Sequence, residues 1–144
     1  MNIKRFEDLP VWQDARNLTK QIYDVTGQGN FRIDYRLKDQ IRASSVSIMS
    51  NIAEGFENMS TKQFVRYLYI AKGSSGELRS QLYVALDAGY LEKKRMEELK
   101  KKTVSISKQC SGLITYLEGY DNQGMVRELE NDDFILIINE FIKD

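Results

Sequence analysis

The chain has 144 residues, 42% of them hydrophobic, with 21 basic and 21 acidic side chains that balance to zero, one Pro, one Cys and no His. A chain of this size can bury one core without disulfide or metal staples, and the missing His excludes Ser-His-Asp and Cys-His nucleophile systems and the Glu-x-x-His di-iron sites of helical bundles. The lone Cys110, the polar run after Met1 and the lack of any stretch near the roughly 18 apolar residues of a membrane span lead us to expect a cytoplasmic protein with no cofactor, no metal and no membrane partner.

Hydrophobic periodicity predicts four long helices. The first runs from Pro10 to Thr26, with Val11, Ala15, Leu18, Ile22 and Val25 on one seam. Asp8 is its expected N-cap, and Pro10 sits in the first turn, where a missing N–H costs nothing. The run Gly27-Gln28-Gly29-Asn30 ends it. The second runs from Tyr35 to Glu57. Its seam of Leu37, Ile41, Ser44, Ile48, Asn51 and Gly55 carries small and polar residues where Leu is usual, which predicts a close helix approach.

The third runs from Thr61 to Ala88. Ser60 and Gln63 form a capping box at its start and Gly89 is the expected C-cap. Phe64, Leu68, Ala71, Ser75, Leu78, Leu82 and Ala85 keep the seam straight through Gly73-Ser74-Ser75-Gly76, so that stretch reads as close contact within a helix. Each Gly there costs roughly 1 kcal/mol against Ala, so packing must compensate. The fourth runs from Glu92 to Gly119, with Met96, Leu99, Thr103, Ile106, Cys110, Leu113 and Leu117 as an unbroken heptad seam. Four such seams with short connections give an all-α, antiparallel up-down-up-down four-helix bundle over residues 1–119.

Residues 120–144 form an acidic extension. Phe134, Ile137, Ile138 and Phe141 share one helical face, which predicts a short helix capped near Asp132 in preference to a strand at Phe134–Ile138. The zero net charge hides an asymmetry: residues 1–117 hold 19 Lys/Arg against 13 Asp/Glu, whereas residues 118–144 hold 2 against 8.

Three blocks carry a resemblance: Phe6–Gln13, Gln40–Phe56 with its Asn-Ile-Ala-Glu-Gly run, and Phe64–Leu78. Together they resemble the four-helix bundle proteins called 23S rRNA intervening-sequence or S23-type proteins, over about residues 6–119. The resemblance implies an antiparallel four-helix bundle that assembles as a ring-like homo-oligomer, usually a pentamer. It also implies genes within bacterial large-subunit rRNA intervening sequences or elsewhere, and a related branch serving as nucleic-acid-binding accessory proteins of diversity-generating retroelements. It brings no catalytic residues. The chain departs from the family in having Met49 where Pro is common, and in extending past residue 119.

Four polar residues stand at or beside the seams: Arg42, Asn51, Glu54 and Glu77. We read them as an interhelical network of hydrogen bonds and ion pairs that fixes register, in preference to a pocket with paired carboxylates. The Gly73–Gly76 stretch lacks the frame of a nucleotide loop, and Cys110 reads as a small seam hydrophobe. The basic residues Arg32, Arg36, Lys38, Lys62, Arg66, Lys72, Lys93, Lys94, Arg95, Lys100, Lys101 and Lys102 are the candidates for nucleic-acid contact, with Tyr35, Tyr67 and Tyr69 able to stack on bases. Trp12, Tyr23, Tyr116 and Tyr120 read as core or interface packing.

A second apolar stripe of Trp12, Val46, Ile52, Ala53 and Phe56 predicts burial against other copies. The expected function is therefore a non-enzymatic, oligomeric bundle with a binding or scaffolding role toward RNA, DNA or a nucleic-acid enzyme. The alternative is a protein-interaction module with no nucleic-acid role. An enzyme would need Glu54 and Glu77 to converge in a cleft. The acidic extension is expected to screen the basic body, or to dock on a neighbouring subunit through its apolar face.

Overall fold

The computed structural model describes residues 2–121 and 131–143. Helices α1 (Pro10–Thr26), α2 (Tyr35–Glu57), α3 (Thr61–Asp87) and α4 (Lys93–Asp121) are followed by α5 (Asn131–Lys143), with 3₁₀ turns at Phe6–Asp8 and Gly29–Ile33. The first four run antiparallel. Side-chain bonds record the order: Arg95 at the start of α4 donates to Gln21 near the end of α1 at 3.1 Å, and Tyr90 after α3 donates to Asp34 before α2 at 2.9 Å.

The helix ends follow local chemistry, with two departures from the sequence expectation. Asp8 does not cap α1. It closes the preceding 3₁₀ turn, where its carboxylate accepts the N–H groups of Lys4 and Arg5 at 3.0 and 3.2 Å. These bonds, that from Lys4 foremost, hold its carboxyl below the usual value. Leu9 becomes the N-cap of α1, with no side-chain bond and with Pro10 just inside. At the far end of α3 the C-cap is Ala88, and Gly89 lies one residue beyond it at φ +80°. The N–H of Gly89 bonds to Leu86 and that of Tyr90 to Ala85, at 3.0 and 2.9 Å, which is a Schellman closure that needs this left-handed residue.

All the predicted seam residues of α1, α3 and α4 are buried. On α2, Gly55 is the position that sets the approach to α3. A Cβ there would lie 2.6 Å from the Cβ of Tyr67 and 3.0 Å from Cδ1 of Phe64. The small residues at and beside the α3 seam make polar stitches. Ser74 meets Ser47 of α2 at 2.9 Å, and the buried Ser75 hydroxyl donates to the Thr103 carbonyl of α4 at 2.8 Å. Cys110 is sealed in the α4 seam, and burial pushes its thiol up to about 12.

The extension folds back on its own bundle. Phe134 enters an edge-to-face cluster with Phe56 and Phe64, at centroid distances of 5.3 and 5.8 Å. Ile137 and Ile138 are buried, and Phe141 packs 5.0 Å from Tyr116. Asn139 clamps the segment before α1: its side chain accepts the Ile3 N–H at 2.7 Å and donates to the Ile3 carbonyl at 2.9 Å. The apolar face predicted to seek a neighbouring subunit is thus used within the chain. The predicted second stripe is also reduced, because Ile52 and Phe56 are core residues and Trp12 packs against Phe6. Val46 and Ala53 alone of that stripe keep appreciable outward surface without such a ring contact.

Candidate nucleic-acid interface

The four polar residues singled out from the sequence do not converge. Arg42 reaches from α2 to the end of α1, where it donates to the Thr26 hydroxyl at 2.8 Å and to the Tyr23 carbonyl, with its guanidinium 4.4 Å from the Tyr23 ring centre. A cation at a helix C-terminus meets its partial negative charge. Asn51 donates to the carbonyl and hydroxyl of Ser47 on its own helix, at 2.8 and 3.1 Å. Glu54 is exposed and accepts from Tyr67, and Glu77 is exposed and accepts from Gln81 on its own helix. The expected ion-pair network is therefore a chain of hydrogen bonds, Asn51–Ser47–Ser74, with no ionic member. Glu54 sits level with Tyr67, ten residues and so about 15 Å along α3 from Glu77, and the two carboxylates share no cleft.

The basic candidates occupy three places. Arg32, Arg36 and Lys38 gather at the start of α2, where Lys38 bonds the Arg32 carbonyl at 3.2 Å and lies over the Tyr35 ring. Lys93, Lys94 and Arg95 open α4 at the same end of the bundle. Lys62 and Arg66 lie at the opposite end, on the first turns of α3, and Lys72, Lys100, Lys101 and Lys102 lie midway. Among the described residues only two ion pairs form, Arg5–Asp8 and Arg95–Glu98. Arg95 is thus the one candidate with an ion-pair partner there.

The two edges of α3 differ. Residues one before a seam position on every second turn (Tyr67, Ser74, Gln81) face α2, as the Tyr67–Glu54 and Ser74–Ser47 bonds fix. Residues one after a seam position (Tyr69, Lys72, Gly76, Arg79, Tyr83) face α4. Two contacts settle this: Tyr69 donates to Glu118 at 2.8 Å, and the Lys100 ammonium lies 5.4 Å from the Tyr83 ring centre. The hydrogen bond to Glu118 raises the Tyr69 pKa, and the nearness of Tyr83 raises the Lys100 pKa. The facing edge of α4 offers Lys100, Val104, Ser107 and Ser111 between Glu97 and Glu118. Sequence reasoning missed Arg79 and Tyr83. The signal was there, as the position after each seam residue, but it acquires meaning only once α4 is known to stand on that side. Of the three tyrosines proposed for stacking, Tyr35 and Tyr69 are exposed, while Tyr67 is half-buried on the α2 side.

On its other edge α4 meets α1, where Lys101, Lys102, Ser105, Asp14 and Asn17 line a shallow groove of about 220 Å³. An apolar groove of about 300 Å³ lies between α1, α4 and α5, lined by Leu9, Val11, Leu113 and Phe141 with Lys108 at its rim. Among the described residues no group of His, Cys, Asp or Glu is placed to hold a metal ion, and no helix is long and apolar enough to cross a membrane.

Residues 7–112 match the family model described as 23S rRNA-intervening sequence protein. A crystal structure of a protein of unknown function from the S23 ribosomal protein family of Bacteroides thetaiotaomicron VPI-5482 is similar in fold. It shares 22% identity with a TM-score of 0.68, over 73% of this chain and 95% of that one. No curated protein matches the sequence.

Proposed function

The chain belongs to the 23S rRNA-intervening sequence protein family, and from that premise we propose that it is a non-enzymatic, cytoplasmic homo-oligomer whose role is to bind or scaffold nucleic acid. The observation that carries this reading is the set of cations on and around α3 and α4 that lack carboxylate partners among the described residues. Uncompensated cations release counterions from a phosphate backbone when they bind it, which makes binding salt-dependent. The family resemblance supports a ring, with five as the expected number of copies. In a ring a modest positive strip repeats about the axis, so its field adds. Exposed Val46, Ile70 and Val84, beside the small outward residues Ala43, Ser50 and Gly73, give α2 and α3 apolar outward positions for such copies, with the exposed Glu77 between Ile70 and Val84.

The test is a light-scattering mass followed by binding titrations with RNA and DNA across a salt series. Affinity that falls linearly on a log–log plot supports the reading. Absence of binding at low salt, together with partners that survive nuclease treatment, supports instead a protein-interaction module, the reading that the face around Val46 and Ile70 favours.

A further inference from the structure

We propose that the furrow between α3 and α4 is a track for single-stranded nucleic acid, in which Tyr69 and Tyr83 stack on bases while Lys72, Arg79 and Lys100 neutralise phosphates. The proposal rests on the nucleic-acid reading above and adds to it a place and a strandedness. Five residues of α3 define one wall, repeating at helical spacing as aromatic, cation, glycine, cation, aromatic: Tyr69, Lys72, Gly76, Arg79 and Tyr83. The two tyrosines stand fourteen residues apart, about 21 Å at the rise of an α-helix. Both residues are exposed, at 50% and 43%.

The floor between them is low. Nothing lies within 4 Å of where a Gly76 Cβ would be. A helix loses roughly 1 kcal/mol by carrying Gly in place of Ala. No contact within the chain explains that loss at Gly76, whereas Gly55 is explained at once by Tyr67. A backbone lying along the furrow would meet Gly76, whereas the equally open Gly73 lies outside it.

Charge selects the occupant. Lys72 and Arg79 have no ion-pair partner among the described residues, and Lys100 is steadied over Tyr83 rather than paired with a carboxylate. Acidic residues mark the two ends: Glu97 acts on Lys100, and Glu118 is occupied by the Tyr69 hydroxyl. An acidic partner is therefore drawn to the middle of the track and discouraged beyond it. The exposed Tyr69, and the face of Tyr83 that Lys100 does not cover, choose the single strand over the duplex, because a paired base has both faces already covered, whereas an unpaired one gains by stacking on any ring.

The test uses the full-length chain, fluorescein-labelled single strands of twelve uridines or twelve thymidines, and a duplex of equal length, read by anisotropy at low salt. We expect the single strands to bind more tightly than the duplex. Tyr69→Ala with Tyr83→Ala should weaken single-strand binding by about tenfold or more for each stacked base lost, while Tyr69→Phe with Tyr83→Phe retains it. Lys72→Gln with Arg79→Gln should lower the salt slope for single strands by about 1.4, at about 0.7 per phosphate.

Melting by circular dichroism checks that each variant is folded, and light scattering checks its assembly. Duplex binding as tight as single-strand binding, or an alanine pair that binds like the parent, overturns the track while leaving the broader nucleic-acid reading intact. No binding by either form overturns both. Loss of assembly in the alanine pair overturns the track in favour of a second copy of the chain in the furrow.

Discussion

The α2-facing and α4-facing edges of α3 are cut from the same sequence yet built to different ends. The α2-facing edge is closed. Tyr67 fills the space that Gly55 leaves, its hydroxyl reaches Glu54, and Ser74 is matched by Ser47. The α4-facing edge is closed at depth, where Ser75 bonds Thr103, and is bridged at its surface toward the two ends, where Tyr69 bonds Glu118 and Lys100 lies over Tyr83. Above that bond it opens into rings and cations. Small residues therefore carry opposite meanings on neighbouring helices: Gly55 of α2 is small because something presses on it, and Gly76 of α3 is small although nothing does. The lesson is that a glycine in a helix is read from its surroundings and not from its propensity.

The sharpest way to break the comparison is at Gly55. Gly55→Ala should destabilise the fold by about 1–3 kcal/mol through overpacking against Tyr67 and Phe64, outweighing the gain of about 1 kcal/mol in helix propensity. The shift of the urea midpoint measures it. Gly73→Ala and Gly76→Ala meet open space and should each raise stability by about 0.5–1 kcal/mol. Of the two, only Gly76→Ala should also reduce single-strand binding, since Gly73 stands outside the furrow.

The acidic extension offers a third comparison, of body against tail. Removing residues 121–144 would uncover Phe56 and Phe64 along with removing charge, so the clean variant changes charge alone. Glu128→Gln with Glu130→Gln should tighten salt-sensitive binding a few-fold if the extension screens the body. Unchanged affinity across the salt series would count against screening. The smallest effect is chemical. Cys110, with its thiol pushed up to about 12 by burial, should resist alkylation at pH 8 in the native chain and react once urea unfolds it. Burial raises the folded-state value, so the thiol stays protonated in the folded chain up to a higher pH than in the unfolded one.

Much of the bundle was legible because its seams are local. The bounds of α1 and α2 follow from the spacing of Val11 to Val25 and Leu37 to Gly55, and each agrees with the structure to the residue. The Asp8 cap was misplaced because capping geometry depends on a 3₁₀ turn that hydrophobic periodicity does not register. The site was harder. Arg42, Asn51, Glu54 and Glu77 are near one another only on a helical wheel. Along the bundle they fall into two groups several turns apart, Asn51 with Glu54 and Arg42 near the level of Glu77, and each finds a nearer hydrogen-bond partner than an opposite charge. Tyr83 and Arg79 escaped notice because a surface edge has no hydrophobic pattern of its own.

The bond between Asn139 and Ile3 spans 136 positions of chain, and that span bears on the order of synthesis. Ile3 leaves the ribosome long before Asn139 is made, so the first three helices can meet while the aromatic pair of Phe56 and Phe64 still lacks its lid. Phe134 and Asn139 then arrive within six residues of each other and close the same end together. Until that moment the nascent bundle presents a greasy socket, which a chaperone or a sister chain emerging from the same message can reach.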